Sequence, residues 1–195
     1  MPQNDFDKEL IASNLLGATT LEELQEKEKI LTNAKMMLIR NNPIEGNFDY
    51  HHLKKIHSFL FKETYSWAGK DRYEANITAN FGKGSTLFTS YDKLPKVSAL
   101  LFDALKNENY FIGQSREEFA KNASIFMNGL NLLHPFREGN GRVQRIFMEY
   151  LAKELGYILN FKDVSLEEMT LASIKGAKGD LDLMKNIFLK SLKNQ

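Results

Sequence analysis

Apolar and polar positions repeat with a helical period over most of the chain. From Ser115 to Leu133, Phe119, Ala123, Phe126, Leu130 and Leu133 form one stripe, and beyond Gly141 the residues Val143, Ile146, Phe147, Tyr150 and Leu151 fall at i, i+3, i+4, i+7 and i+8. Shorter stripes follow Asp49 (Leu53, Ile56, Leu60) and Asp180 (Met184, Ile187, Phe188, Leu192), and both aspartates can cap their helices. Val97, Leu100, Leu101 and Ala104 mark a further helix whose start is blurred by Pro95. Thr20, Ser115 and Ser165 each stand three residues before a glutamate (Glu23, Glu118, Glu168). This is the capping-box spacing, in which hydroxyl and carboxylate each satisfy an orphan amide of the first turn. Val164 and Met169 are placed to staple the third of these helices.

Tyr73 to Thr89 breaks the pattern. Ile77, Thr78, Phe81, Thr86, Phe88 and Thr89 favour strand, and Gly82-Lys83-Gly84-Ser85 is turn chemistry, so a β-hairpin is expected. No repeat and no shift of composition divides the chain. The expectation is an all-α fold carrying one small hairpin. It spans 1–195 as a single domain, with a core of about 48–192, an N-terminal helical elaboration over 1–47 and the hairpin at about 76–89.

Composition narrows the classes. Hydrophobic residues at 43% and charged residues at 26%, with four prolines and twelve glycines, describe a chain that folds throughout. A net charge of +1 provides no global field for a polyanion, so direct nucleic-acid binding is not expected. The absence of cysteine excludes disulfides and thiolate metal sites and is compatible with a reducing compartment, which makes the cytoplasm the default. Met1 to Leu10 carries acids and no apolar run, so neither a cleavable signal nor a membrane span is expected. The residues leave open export by a route that uses no N-terminal signal.

The chemistry gathers between His134 and Arg145. Pro135 disfavours helical geometry at His134, which puts the imidazole at a helix-to-loop corner within reach of a substrate. Gly139 and Gly141 around Asn140 can turn successive amides inward as an anion nest, reinforced by the positive end of the following helix. Arg142 and Arg145 lie about 60° apart on that helix, away from its apolar stripe, and can grip one polyphosphate. Glu138 can hold a magnesium ion that bridges phosphates. His134, titrating near neutrality, can take a proton from a hydroxyl. Each residue also has a plainer role: Arg145 could pair with Glu149, Glu138 could answer the helix dipole, and His134 could cap carbonyls. Together the set favours nucleotide chemistry. Pro135 and Phe136 are assigned to loop support, and Arg137 is expected to face solvent.

Other motifs carry less. Gly82-Lys83-Gly84-Ser85-Thr86 fails as a P-loop because Ile77 and Gly84 stand where glycine and a hydroxyl residue are needed. His51, His52 and His57 lack zinc-ligand spacing and are expected on the surface or on helix faces. Trp67 is expected to pack in the core at a helix end.

The run His134-x-Phe136-x-Glu138-Gly139-Asn140-Gly141-Arg142-x-x-Arg145 resembles the complete signature of the Fic family, also called cell filamentation proteins. Ile44-Glu-Gly-Asn-Phe48, Leu53-x-x-Ile-His57, Phe61, Tyr65-Ser-Trp67-Ala-Gly69-x-x-Arg72, Gly156-Tyr157 and the segment from Leu181 to Leu192 extend the likeness over nearly the whole chain. The resemblance implies a helical domain that transfers AMP from ATP to a Tyr, Ser or Thr hydroxyl of a target protein with release of pyrophosphate. His134 would be the base, and Glu138 would hold Mg2+. Gly139, Asn140, Gly141 and Arg142 would bind phosphates, and Arg145 the γ-phosphate. The hairpin, with Ile77, Thr78, Lys83, Gly84 and Phe88, would be the flap that docks the target in strand-like pairing. Glycine at position 141 is the AMP-transfer form of the motif. The family's inhibitory pattern, Ser or Thr followed four residues later by Glu and then Gly or Asn, is missing from this chain. A separate small antitoxin is therefore expected to supply a glutamate to Arg145, restraining a toxin-like activity. The alternatives are a nucleotide-binding regulatory module, a hydrolase that releases AMP, or a Fic-like enzyme using another nucleotide or phosphate donor.

Overall fold

The computed structural model describes residues 5–83 and 86–194. Among these, eight α-helices carry the fold: α1 (Asp5–Ala12), α2 (Leu21–Asn41), α3 (Tyr50–Phe61), α4 (Leu94–Asn107), α5 (Arg116–Leu133), α6 (Asn140–Glu154), α7 (Leu166–Ala177) and α8 (Asp182–Ser191). Two antiparallel strand pairs complete it, β1 (Gly82–Lys83) with β2 (Thr86–Leu87) and β3 (Tyr157–Leu159) with β4 (Leu192–Asn194).

Helix α5 is the axis of the core and packs against α4, α6, α7 and α8, so its stripe is buried on several sides. The start of that helix is closed by its predicted cap. Ser115 accepts from the Glu118 amide at 3.3 Å and Glu118 accepts from the Ser115 amide at 2.9 Å, completing the capping box. At Thr20 the reciprocal half shifts by one residue, because Glu23 takes the Thr19 amide instead. At Ser165 only the hydroxyl half forms, Glu168 being drawn to Lys190 at 2.5 Å. Asp49 caps α3 through the His52 amide at 2.7 Å. Asp180 stands one residue ahead of the cap position, held by Leu181, and accepts from the Asp182 amide. Pro95 lies in the first turn of α4, where its missing N–H costs nothing.

Three features differ from the sequence reading. The hairpin is shorter than the expected 76–89: Gly82 pairs with Leu87 and Lys83 with Thr86, while Ile77 and Thr78 lie in the irregular stretch between the turn at 72–76 and β1. Leu192 leaves the α8 stripe and enters β4 opposite Leu159, with both side chains buried. That pairing joins segments far apart in sequence, which periodicity cannot register. His52 and His57 are buried rather than superficial. His52 accepts from the Phe48 amide and bonds the Ile44 carbonyl at 2.8 Å, closing the loop ahead of α3. Trp67 packs in the core as expected, stacked on Tyr65 with ring centres 4.5 Å apart, and donates to Ser13.

The buried face of α2 reads Leu24, Glu28, Thr32, Lys35 and Ile39, so three polar side chains interrupt an apolar register. Lys35 pairs with Glu63 and donates to the Phe59 carbonyl. Glu28 and Thr32 reach the site described next. No helix of the described residues is long and apolar enough to cross a membrane.

Candidate functional site

Helix α5 ends at Leu133, and His134 follows in the left-handed region at φ 43°, ψ 59°, a conformation that a non-glycine residue adopts only under constraint. Arg72 supplies that constraint. Its side chain is wholly buried and donates from Nε to the His134 carbonyl at 2.9 Å and from Nη2 to the Thr89 carbonyl at 2.6 Å, while its backbone amide donates to Pro135 at 2.8 Å. One guanidinium thus ties the turn bearing the imidazole to the base of the hairpin. The imidazole is half-buried under Phe88, whose ring lies parallel to it at a centroid distance of 3.8 Å. The sequence reading had placed Phe88 on the target side of the flap. Its amide donates to the Phe81 carbonyl, and its ring covers the His134 imidazole.

The loop from Phe136 to Asn140 is closed from within. Asn140 accepts from the Phe136 amide at 2.9 Å and donates to the Phe136 carbonyl at 2.8 Å, so its side chain is engaged in loop closure and its backbone amide heads α6. Phe136 is buried, in keeping with a supporting role. Gly139 has φ +81°, and a Cβ there would lie 2.4 Å from the Phe61 ring, so both conformation and space demand glycine. Helix geometry leaves the Asn140 and Gly141 amides without intrahelical acceptors at the positive end of α6. A Cβ on Gly141 would stand 3.2 Å from Arg145 Nη1, so a larger residue would crowd that guanidinium.

The two arginines separate. Arg145 lines a cavity with His134 and Gly141, and Phe88 and the α7 residues Met169 and Thr170 line the same cavity. Burial, then the like charge of Arg142, hold the Arg145 pKa below its ordinary value, a penalty that an anion in the cavity would relieve. Glu149 does not take it up, because both carboxylate oxygens of Glu149 are held at 2.9 Å by Arg40. Arg142 turns instead toward α2, reaching Glu28 at 2.5 Å, Thr32 at 3.3 Å and Glu138 at 3.5 Å, with its guanidinium over Phe61. Tyr65 donates its hydroxyl to the other oxygen of Glu28. Glu138 itself remains partly exposed and accepts from the Gly139 amide at 2.9 Å. Among the described residues no three potential metal ligands cluster.

Arg137, expected in solvent, is buried. Its Nη2 donates to the Phe6 carbonyl at 2.6 Å and its guanidinium lies 3.1 Å from the Phe6 ring centre, with Phe81 5.4 Å away on the flap side. Helix α1 therefore latches onto the motif loop, and an alternation of polar residues in the loop could not reveal a partner 131 residues distant. Of the proposed flap residues, Ile77 is half-buried and donates its amide to the Arg72 carbonyl, Thr78 is exposed and Lys83 contributes its backbone to β1. Gly84 lies outside the described residues. Sequence reasoning missed the cavity face of α7: Leu166, Met169, Thr170 and Ser173 recur at i, i+3, i+4 and i+7, but nothing local says what that face meets.

Comparison with known proteins agrees with this corner of the molecule. Residues 47–152 match the Fic/DOC family model. The chain is 31% identical over 93% of its length to the Salmonella typhimurium protein named "Probable protein adenylyltransferase Fic", covering 88% of that protein. It is 36% identical over 92% of its length to the Bartonella schoenbuchensis protein adenylyltransferase VbhT, of which it spans only 36%. Among solved structures, the N-terminal Fic domain of a VirB-translocated effector from Bartonella quintana with bound ADP superposes at a TM-score of 0.85, with 32% identity over 93% of this chain and 90% of that one. BepC of Bartonella tribocorum with bound AMPPNP gives 0.83 and 29% identity over 93% of this chain and 92% of that one. The protein thus belongs to the Fic/DOC family.

Proposed function

We propose that the protein transfers AMP from ATP to a Tyr, Ser or Thr hydroxyl of a target protein. The observation that carries this reading is one cavity faced at once by His134, the amide end of α6 at Gly141 and the Arg145 guanidinium. His134 takes the hydroxyl proton, the oxygen attacks the α-phosphorus, and the bond to the bridging oxygen breaks so that pyrophosphate leaves. The amides after Gly139 hold phosphate oxygens and Arg145 holds the γ-phosphate, while Arg142, held by Glu28, would join them only on leaving that carboxylate. The relatives named as adenylyltransferases and the related domains with bound ADP and AMPPNP support the same nucleotide class.

Glu138 would hold Mg2+. The donor set fits, since that ion takes one or two carboxylates and completes its shell with phosphate oxygens and water. When bound, the ion neutralises phosphate charge. The segment from Ile77 to Phe88, with its short hairpin, would dock the target through its backbone, and Leu87 on that hairpin is exposed. Restraint by a separate antitoxin that presents a glutamate to Arg145 is supported by geometry, because no carboxylate among the described residues is ion-paired with that guanidinium. The compartment we propose is the cytoplasm.

The test is incubation of the chain with a cell lysate and ATP labelled at the α or the γ position. Label reaching protein from the α position alone supports AMP transfer, and His134→Ala should abolish it. Label from γ alone would mean a kinase, free labelled AMP a hydrolase, and neither a binding module. Near-zero activity that rises in Glu28→Gln would place the restraint inside the chain and sink the antitoxin.

A further inference from the structure

His57 lies outside the signature and makes no contact with the cavity, yet it sits directly beneath the phosphate loop. It occupies the apolar register of α3, four residues after Leu53, and is fully buried. Its ring stacks on Phe136 with centres 3.9 Å apart and 16° between planes, and Phe61 and Trp67 pack around it. Both ring nitrogens are engaged. The Gly69 amide lies 2.8 Å from Nδ1 and can only donate, so Nδ1 is the acceptor and the proton must reside on Nε2. Nε2 lies 3.2 Å from the Glu138 carbonyl, which can only accept. The tautomer is therefore dictated by its neighbours.

The consequence falls on one peptide unit. The bond between Glu138 and Gly139 is gripped at its carbonyl by His57 and at its amide by the Glu138 carboxylate at 2.9 Å. Its orientation sets both the left-handed Gly139 and the direction in which the following amides emerge. We infer that His57 is a positioning residue for nucleotide binding, its Nε2–H fixing the Glu138–Gly139 peptide so that the α6 amides and the Glu138 carboxylate face the phosphates together. This deepens the nucleotide-transfer reading and rests on it for its consequence in turnover.

The test uses two isosteres. Glutamine places an amide N–H near the position of Nε2, whereas asparagine can mimic only the Nδ1 side. His57→Asn should weaken Mg–ADP binding, read by calorimetry on the full chain, by about tenfold, the factor of one lost neutral hydrogen bond. It should raise KM for ATP in step while kcat changes little. His57→Gln should recover most of the affinity. Equal affinity in the two variants, or a loss confined to kcat, overturns the assignment. Should both variants unfold, the wild-type imidazole nitrogen spectrum decides, and a proton found on Nδ1 refutes the argument. A wild-type chain that binds Mg–ADP but transfers no AMP sinks the enzymatic reading and leaves the clamp standing. A chain that binds no Mg–ADP overturns both.

Discussion

Arg72→Met should uncouple the turn bearing His134 from the amide end of α6, and so turnover from nucleotide binding in the proposed reaction. The native guanidinium contacts three carbonyls, those of Thr89 at 2.6 Å, His134 at 2.9 Å and Leu133 at 3.4 Å, and the last is too long to count for much. Methionine keeps the stem's volume and orphans the other two inside the core, at about 1–3 kcal/mol each. Against this stands the relief of a buried cation, which has no ion-paired carboxylate among the described residues and whose pKa burial already lowers. A net loss of about 2–3 kcal/mol is expected in urea unfolding. The larger effect is local. The left-handed backbone of His134 costs about 1–2 kcal/mol and persists because its carbonyl is held. Freed, the residue can relax toward ordinary geometry and carry the imidazole with it, and a misplacement near 1 Å costs about 100-fold in rate. Arg72 does not touch the loop from Gly139 to Arg142, so Mg–ADP affinity should stay within about twofold, the scatter of independent sites. Arg72→Lys, whose compact ammonium can serve fewer carbonyls at once, should fall between. The assays are urea unfolding, calorimetry with Mg–ADP and transfer of α-label to protein. The reasoning is refuted if nucleotide affinity falls in step with turnover, or if stability drops while turnover is kept.

Phe88→Ala removes the ring stacked on His134, so carbethoxylation of that imidazole should accelerate several-fold, and an unchanged rate would mean that the stack does not form in solution. Gly139→Ala combines a φ of +81° with a Cβ 2.4 Å from the Phe61 ring, so it should abolish measurable Mg–ADP binding even in a Phe61→Ala background, where only the clash is relieved. Burial lowers the pKa of His52 below its ordinary 6.5, so below pH 6.5 the unfolded chain gains a proton that the native chain resists. Stability should therefore fall with falling pH from 6.5, by up to about 1.4 kcal/mol per unit for each such histidine, before lowered carboxylates such as Glu74 begin to contribute below 4.5. His52→Gln should lessen the slope of the urea-unfolding profile between pH 6.5 and 4.5 without abolishing it, because burial also lowers the pKa of His57.

The site was legible where its parts are local. His134, Glu138, the two glycines and the arginines lie within twelve residues, and their spacing specifies a turn and a helix start, whereas of the two arginines expected to act together Arg145 lines the cavity and Arg142 does not. The helices were legible for a similar reason, since caps and stripes are short-range physics. What could not be read was which distant residue each polar group would meet. Arg137 looked like a solvated loop residue because Phe6 is 131 positions away, and Arg142 looked like a simple phosphate ligand because Glu28 lies on α2, 114 positions earlier. A weaker signal was present all the same. Glu28 and Thr32 fall in register with Leu24 and Ile39, and His57 in register with Leu53 and Leu60, and a polar residue in an apolar register must find a partner when it is buried.

Those partners converge. Glu28 holds Arg142, His57 holds the Glu138 carbonyl, Arg72 holds the His134 carbonyl and Phe6 covers Arg137, so four elements outside the signature each fix a different part of it. The signature supplies groups that can act on a triphosphate. Their mutual geometry comes from buried polar contacts that satisfy most of the groups involved, although one terminal nitrogen each of Arg72 and Arg137 has no hydrogen-bond partner among the described residues. A variant that repacks this core with apolar residues of matching volume could therefore gain stability and still lose function, since it would free the loop that those contacts hold in place.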